Sequence, residues 1–164
     1  MMFEQSANNH KYEFLDRREY NNKMNTHDVE SRADLEQIIK NFYTVMLDDP
    51  IVGFIFTDVA KIDLASHLPL IVNFWSDIVF GSQAGSEKLY SGNTLRAHLE
   101  LSQKLALKPG HFTRWLYLFT HAVQENHAGK NASLMIARAE LVAKSISAAI
   151  NDSKKSEMNL VLPS

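Results

Sequence analysis

The chain has 164 residues, 45% of them hydrophobic and 22% charged, with a net charge of −2, which fits one globular domain large enough for a real core. The near-neutral balance offers no basic excess to a nucleic-acid backbone or an anionic membrane surface. It has no cysteine, which excludes disulfides, thiolate zinc sites, iron–sulfur clusters and a cysteine nucleophile.

Residues 1–28 are polar and Asn-rich, without an apolar run that could act as a secretion signal, and read as a flexible N-terminal extension with room for a short helix around residues 12–20. The folded domain is expected over 29–150. In "SRADLEQIIKNFYTVMLDDP", Ser31 and Asp34 form a capping-box-like start. Leu35, Ile38, Ile39, Phe42 and Met46 then keep the helical period, with Tyr43 on the edge of that stripe, and Asp48-Asp49-Pro50 ends the helix. "IVGFIF" (51–56) is an apolar connector that periodicity leaves ambiguous.

"KIDLASHLPLIVNFWSDIVFG" carries Leu68, Ile71, Val72, Trp75 and Val79 on one face, widened by Phe74 and Ile78, so a helix buried over most of its circumference is expected. Pro69 lacks a backbone N–H, so this helix is expected to start or kink near it. After a loop over 81–92, Asn93 is a plausible N-cap for a short helix, "NTLRAHLELS", in which His98 shares a face with Leu95, Leu99 and Ser102. Spacing alone leaves His98 open between a hydrogen-bonded core histidine, the commoner case, and a metal ligand.

Pro109-Gly110 introduces "HFTRWLYLFTHAVQEN", with Phe112, Trp115, Leu116, Phe119, Ala122 and Val123 at helical spacing. "HAGKN" is a turn, and its His127 stands where an aromatic core residue is expected. The last helix repeats Met135, Ala139, Val142, Ile146 and Ala149, and 151–164 read as a polar C-terminal tail. Nothing alternates with period two, so the fold class is all-α: helices over 31–47, 67–80, 109–127 and 131–150, and a short one over 93–104. No apolar stretch of about 18 residues exists to span a bilayer, and a cytoplasmic location is expected.

Most metal and catalytic motifs are missing. There are no Glu-x-x-His pairs for a di-iron bundle, no His-Glu-x-x-His, no Gly-x-Ser-x-Gly elbow, no phosphate loop and no dinucleotide fingerprint. A metal held by one protein ligand, its other positions filled by a macrocycle, stays compatible with a lone imidazole on an apolar helix face.

Taken in order, "NFY", "DDPIVGFIF", "HLPLIVNFWSDIVFG", "YSGNTLRAHLEL", "HFTRWLYLF" and "ARAELVAKSI" resemble the signature blocks of the group III truncated haemoglobins, over about residues 30–150. The resemblance implies a two-over-two helical globin sandwich with one haem b. Within it His98 matches the proximal iron ligand, and Tyr43, His67 and Trp115 match distal positions facing the ligand. The macrocycle is then expected against Phe42, Ile71, Phe74, Trp75, Leu95, Phe112 and Leu116. Arg96, Lys104, His111 and Arg114 are the cations available for its propionates, Arg114 being preferred. The Gly-Gly pairs of other truncated haemoglobin groups are absent, in keeping with group III.

The resemblance implies a haem protein that binds oxygen, nitric oxide or carbon monoxide. Its rival at the same iron is an enzyme for nitric oxide dioxygenation or peroxidase-like detoxification, which needs a reductase as partner. A haem-free helical interaction module is the third reading, and it gives no haem absorption band.

Overall fold

A computed structural model describes residues 26–81 and 88–161, with side chains described to residue 155. The expected helix around residues 12–20, most of the N-terminal extension, residues 82–87 of the loop and the last three residues lie outside the described part.

Five α-helices follow in order: α1 Arg32–Leu47, α2 Leu64–Val79, α3 Thr94–Lys104, α4 Pro109–Gln124 and α5 Lys130–Val161, with a π-helical turn Ile55–Val59 between α1 and α2. No β-strand forms among the described residues; a single bridge joins His27 to His127. Nor is any described helix long and apolar enough to cross a membrane.

The capping chemistry sets the helix starts. Ser31 Oγ accepts from the Asp34 N–H while the Asp34 carboxylate accepts from the Ser31 N–H, the reciprocal box that opens α1. Asp63 accepts from the Ala65 and Ser66 N–H groups and opens α2 one turn before the expected start. Pro69 therefore lies inside α2 rather than at its beginning. The bond it forfeits belongs to the carbonyl of Ala65, an exposed residue that water can serve. Asn93 caps α3 through the Arg96 N–H.

α5 runs to Val161 instead of ending at 150. No Gly or Pro interrupts 130–161, and a solvated helix needs no apolar stripe to continue from a packed one. The tail over 151–164 is thus helical through residue 161.

α1 packs on α2 and α4 on α5, and the two pairs cross through α1–α4 and α2–α5 contacts. That makes a two-over-two sandwich. Its core holds Leu35, Ile38, Ile39, Met46, Phe119, Val123, Met135 and Ile150, all essentially without solvent contact. Phe119 stacks on Trp75 at 4.8 Å and on Trp115 at 5.4 Å, so one ring joins α2 to α4.

α3 differs from the rest. Its chief helical partner is α5, and it contains no buried residue although its leucines are patterned for burial.

Between α1 and α2 the chain turns tightly. The Asp49 carboxylate, 7% exposed, accepts from the Ile51 and Val52 N–H groups and from Arg114 Nε and an Arg114 terminal nitrogen at 2.9 and 2.7 Å. Gly53 follows so closely that a Cβ there would fall on the Leu47 carbonyl oxygen. This compact corner delivers the π-helical turn, which puts Phe56 edge-on to Tyr43.

Candidate functional site

A cavity of about 240 Å³ lies between the helix pairs and α3. Its lining is mostly apolar: Phe42, Ile71, Phe74, Trp75, Phe112, Trp115 and Phe119, with Ile39, Val52, Ile55, Phe56 and Ile62 from α1 and the connector, and Val142, Ala143 and Ile146 from α5. Three histidines, His67, His98 and His111, and one tyrosine, Tyr43, share this lining.

His98 Nδ1 donates to the Thr94 carbonyl one turn back, at 2.8 Å. That carbonyl can only accept, so the proton is assigned to Nδ1 and Nε2 keeps its lone pair. Thr94, Ala97 and Leu101 join His98 in the lining. The face of α3 turned to the cavity is therefore Thr94, Ala97, His98 and Leu101; of the face patterned in the sequence, only His98 is part of it.

Tyr43 is 4% exposed, and its hydroxyl lies 2.7 Å from His67 Nε2, a bond from α1 to α2. Burial pushes the Tyr43 hydroxyl's pKa up, so the phenol keeps its proton at neutral pH. The His67 pKa is lowered, first by burial and then by repulsion from His98, so its imidazole is neutral there. Whichever group donates in this bond, one of the two keeps a hydrogen-bonding site for a third partner.

Phe42 ties the aromatic wall together, edge-on to Tyr43, Trp115 and Phe119 at 5.3–5.7 Å. Of the expected site residues, the structure brings His98, Tyr43, His67, Trp115, Phe42, Ile71, Phe74, Trp75 and Phe112 around this one cavity.

Three of the residues expected at the site, Leu95, Arg114 and Leu116, lie outside the lining. Leu95, expected against the macrocycle, is 44% exposed at the first turn of α3 and lies outside the lining. Arg114, expected at a propionate, is bonded to Asp49 and lies over the Tyr117 ring, and it too is outside the lining. A buried carboxylate outcompetes a solvated position for a guanidinium. Leu116 faces the α4–α5 groove instead, and Arg96 pairs with Glu100 on the exposed side of α3.

His111 is the basic side chain that does line the cavity. Its Nδ1 accepts from the Lys108 N–H at 3.2 Å, which leaves Nε2 free. Sequence reasoning missed the contributions of Phe56, Ile62, Leu101 and Ile146. The first two lie on a connector without periodicity, and the others read as ordinary core.

The donor set indicates what the cavity can hold. Among the described residues, the group of three metal-ligating side chains close enough to share an ion is His27, Asp34 and His127, none of which lines the cavity. An ion at His98 would therefore have to bring its other ligands with it, inside a flat apolar carrier that aromatic walls accept. A macrocycle fits that description, and a bare metal ion does not.

No protein-family model matches the chain, and no curated protein matches it in sequence. Among solved structures it is similar to the group III truncated haemoglobin from Campylobacter jejuni, with a TM-score of 0.64, 21% identity, and coverage of 76% of this chain and 94% of that one. The fold is that of a truncated globin.

Proposed function

We propose that this chain is a haem protein that takes oxygen and related diatomic ligands. The observation that carries the reading is the pairing across one apolar cavity. His98 commits one nitrogen to Thr94 and keeps the other free, and Tyr43 and His67 are bonded to each other on the same cavity. The similar structure from Campylobacter jejuni is that of a group III truncated haemoglobin, which supports a globin-type cofactor here.

Haem b would supply an iron that binds diatomic molecules. His98 Nε2 would hold that iron, while the Nδ1–H bond to Thr94 fixes the ring's orientation and raises its basicity. Phe42, Ile71, Phe74, Trp75 and Phe112 would wall the macrocycle and exclude water. Of the four basic residues expected for the propionates, His111 lines the cavity and would be the one to meet them.

Tyr43 keeps its proton, and its hydroxyl could donate a hydrogen bond to a bound ligand that carries negative charge. His67 holds the Tyr43 hydroxyl in place, and Trp115 adds its ring to the pocket wall. A charge-assisted bond in a dry pocket contributes about 1.5–3 kcal/mol, which favours slow release and hence sensing or chemistry over transport.

The neutral His67 imidazole favours a second reading at the same site. Able to accept a proton inside the pocket, it suits peroxidase-like or nitric oxide dioxygenase turnover with a reductase as partner.

Absorption spectra of the purified full chain, ferric and dithionite-reduced, with and without carbon monoxide, test the proposal. A haem band that shifts with carbon monoxide and is lost in His98→Ala is expected. A chain that takes up no haem on reconstitution, or whose spectra ignore His98→Ala, refutes it.

A further inference from the structure

A second cluster lies where the N-terminal segment meets the start of α5, away from the cavity. The ligand atoms of His27, Asp34 and His127 all lie within 4.8 Å of one another. His127 is only 5% exposed, yet neither of its ring nitrogens has a hydrogen-bond partner. Its Nε2 is 3.8 Å from Asp34 Oδ1, too far for a hydrogen bond. An imidazole buried with both nitrogens unserved is costly.

The other two side chains are arranged to leave a ligand atom over. Asp34 Oδ2 is occupied by the Ser31 N–H, the Ser31 hydroxyl and the Glu30 N–H, so Oδ1 is the oxygen turned to His127. His27 Nδ1 donates to the Asp28 carbonyl at 2.8 Å, leaving Nε2 with its lone pair. The His27 ring stands edge-on to His127 with centroids 4.8 Å apart.

The backbones beneath are pinned together. The Ala128 N–H donates to the His27 carbonyl at 3.0 Å, and the Asp28 carboxylate accepts from the Asn131 and Ala132 N–H groups at the start of α5.

We propose that His27, Asp34 and His127 form a binding site for a divalent first-row metal ion of zinc's kind, clipping the N-terminal segment to the α4–α5 turn. Two imidazoles, one carboxylate and a water make a four-coordinate set that zinc accepts. Bond lengths of about 2.0–2.2 Å place ligand atoms roughly 3.3 Å apart in a tetrahedron. Closing from 4.8 Å falls to His27, the exposed member of the three, whose ring is tied by a hydrogen bond to its neighbour Asp28. Burial of His127 and the bond holding Asp34 Oδ2 keep the other two in place, as surrounding hydrogen bonds do in established metal centres. The site does not depend on the haem reading, since none of its three residues lines the cavity.

Titrating zinc alone into the metal-stripped full chain by calorimetry, together with thermal unfolding, tests the site. One zinc ion per chain is expected, with a rise in unfolding midpoint of roughly 5–11 °C at a hundredfold excess over Kd. His27→Gln, at an exposed side chain, should weaken binding at least about tenfold. His127→Leu should remove binding and midpoint shift together, while raising the stability of the metal-free chain by removing an unserved polar group. His98→Ala controls for the cavity histidines and should leave zinc affinity unchanged. No zinc bound at about 100 μM, affinity indifferent to His27→Gln, or binding abolished by His98→Ala would each overturn the proposal. If His127→Leu fails to fold, His27→Gln decides alone.

Discussion

Tyr43→Phe separates the pocket's contribution to ligand retention from its contribution to stability. The change deletes one oxygen from a side chain already 4% exposed and leaves the aromatic packing against Phe42, Phe56 and His67 intact. The lost bond to His67 is a neutral pair, worth about 1 kcal/mol, and half-buried His67 can turn to water, so the unfolding midpoint should fall by no more than about 4 °C. The ligand-side loss is larger. A phenol that keeps its proton and faces developing negative charge contributes about 1.5–3 kcal/mol, and each 1.4 kcal/mol is a factor of ten. Oxygen should therefore leave the haem-loaded Tyr43→Phe variant roughly 10- to 150-fold faster. Stopped-flow displacement of oxygen by carbon monoxide measures the rate, and denaturant melts of the same preparation measure stability. A release rate within twofold of wild type, from a variant as stable as wild type, would refute the assignment of Tyr43 as donor.

His67, its pKa lowered by burial and by His98, favours the folded state only when neutral. That stability is full above the unfolded value of about 6.5 and is lost as pH falls through the folded one; His67→Leu should flatten this acid limb in pH-dependent melts. The Asp49 carboxyl is held low, chiefly by Arg114. Its stabilisation should be complete above about pH 4 and vanish at lower pH, so Asp49→Asn should differ from wild type at neutral pH and converge with it in strong acid. Gly53→Ala would force a methyl onto the Leu47 carbonyl and should cost about 1–3 kcal/mol in chemical denaturation, with His98 spectra unchanged if α1 alone adjusts.

Much of the architecture was legible because local chemistry and global packing agree. The Ser31–Asp34 box, the Asn93 cap and Pro109 at the head of α4 open helices where the periodicity begins. The start of α2 was not legible in the same way. Asp63 is a strong cap, but Pro69 competes as a start signal, and only exposure of the Ala65 carbonyl's neighbourhood tells which prevails. The length of α5 escaped because its polar continuation shows no face to read.

At the site, spacing brought His98 no further than an open question. The blocks of resemblance named the right helices, and the cavity then gathered nine of the expected side chains. What the sequence did not show is the pairing of Arg114 with Asp49, 65 positions away, because such a contact leaves no periodic trace. His127 escaped for a related reason, since its surroundings come from the far end of the domain.

The absence of any buried residue on α3 has a kinetic corollary. An eleven-residue helix is too short to persist in water unaided, so Thr94–Lys104 depends for its anchorage on its packing against α5 and on whatever fills the cavity. Amide protons along this segment should then exchange in step with departure of the cofactor, ahead of those in α1 or α4. If His98 holds the proposed haem, this helix would act as the domain's release latch.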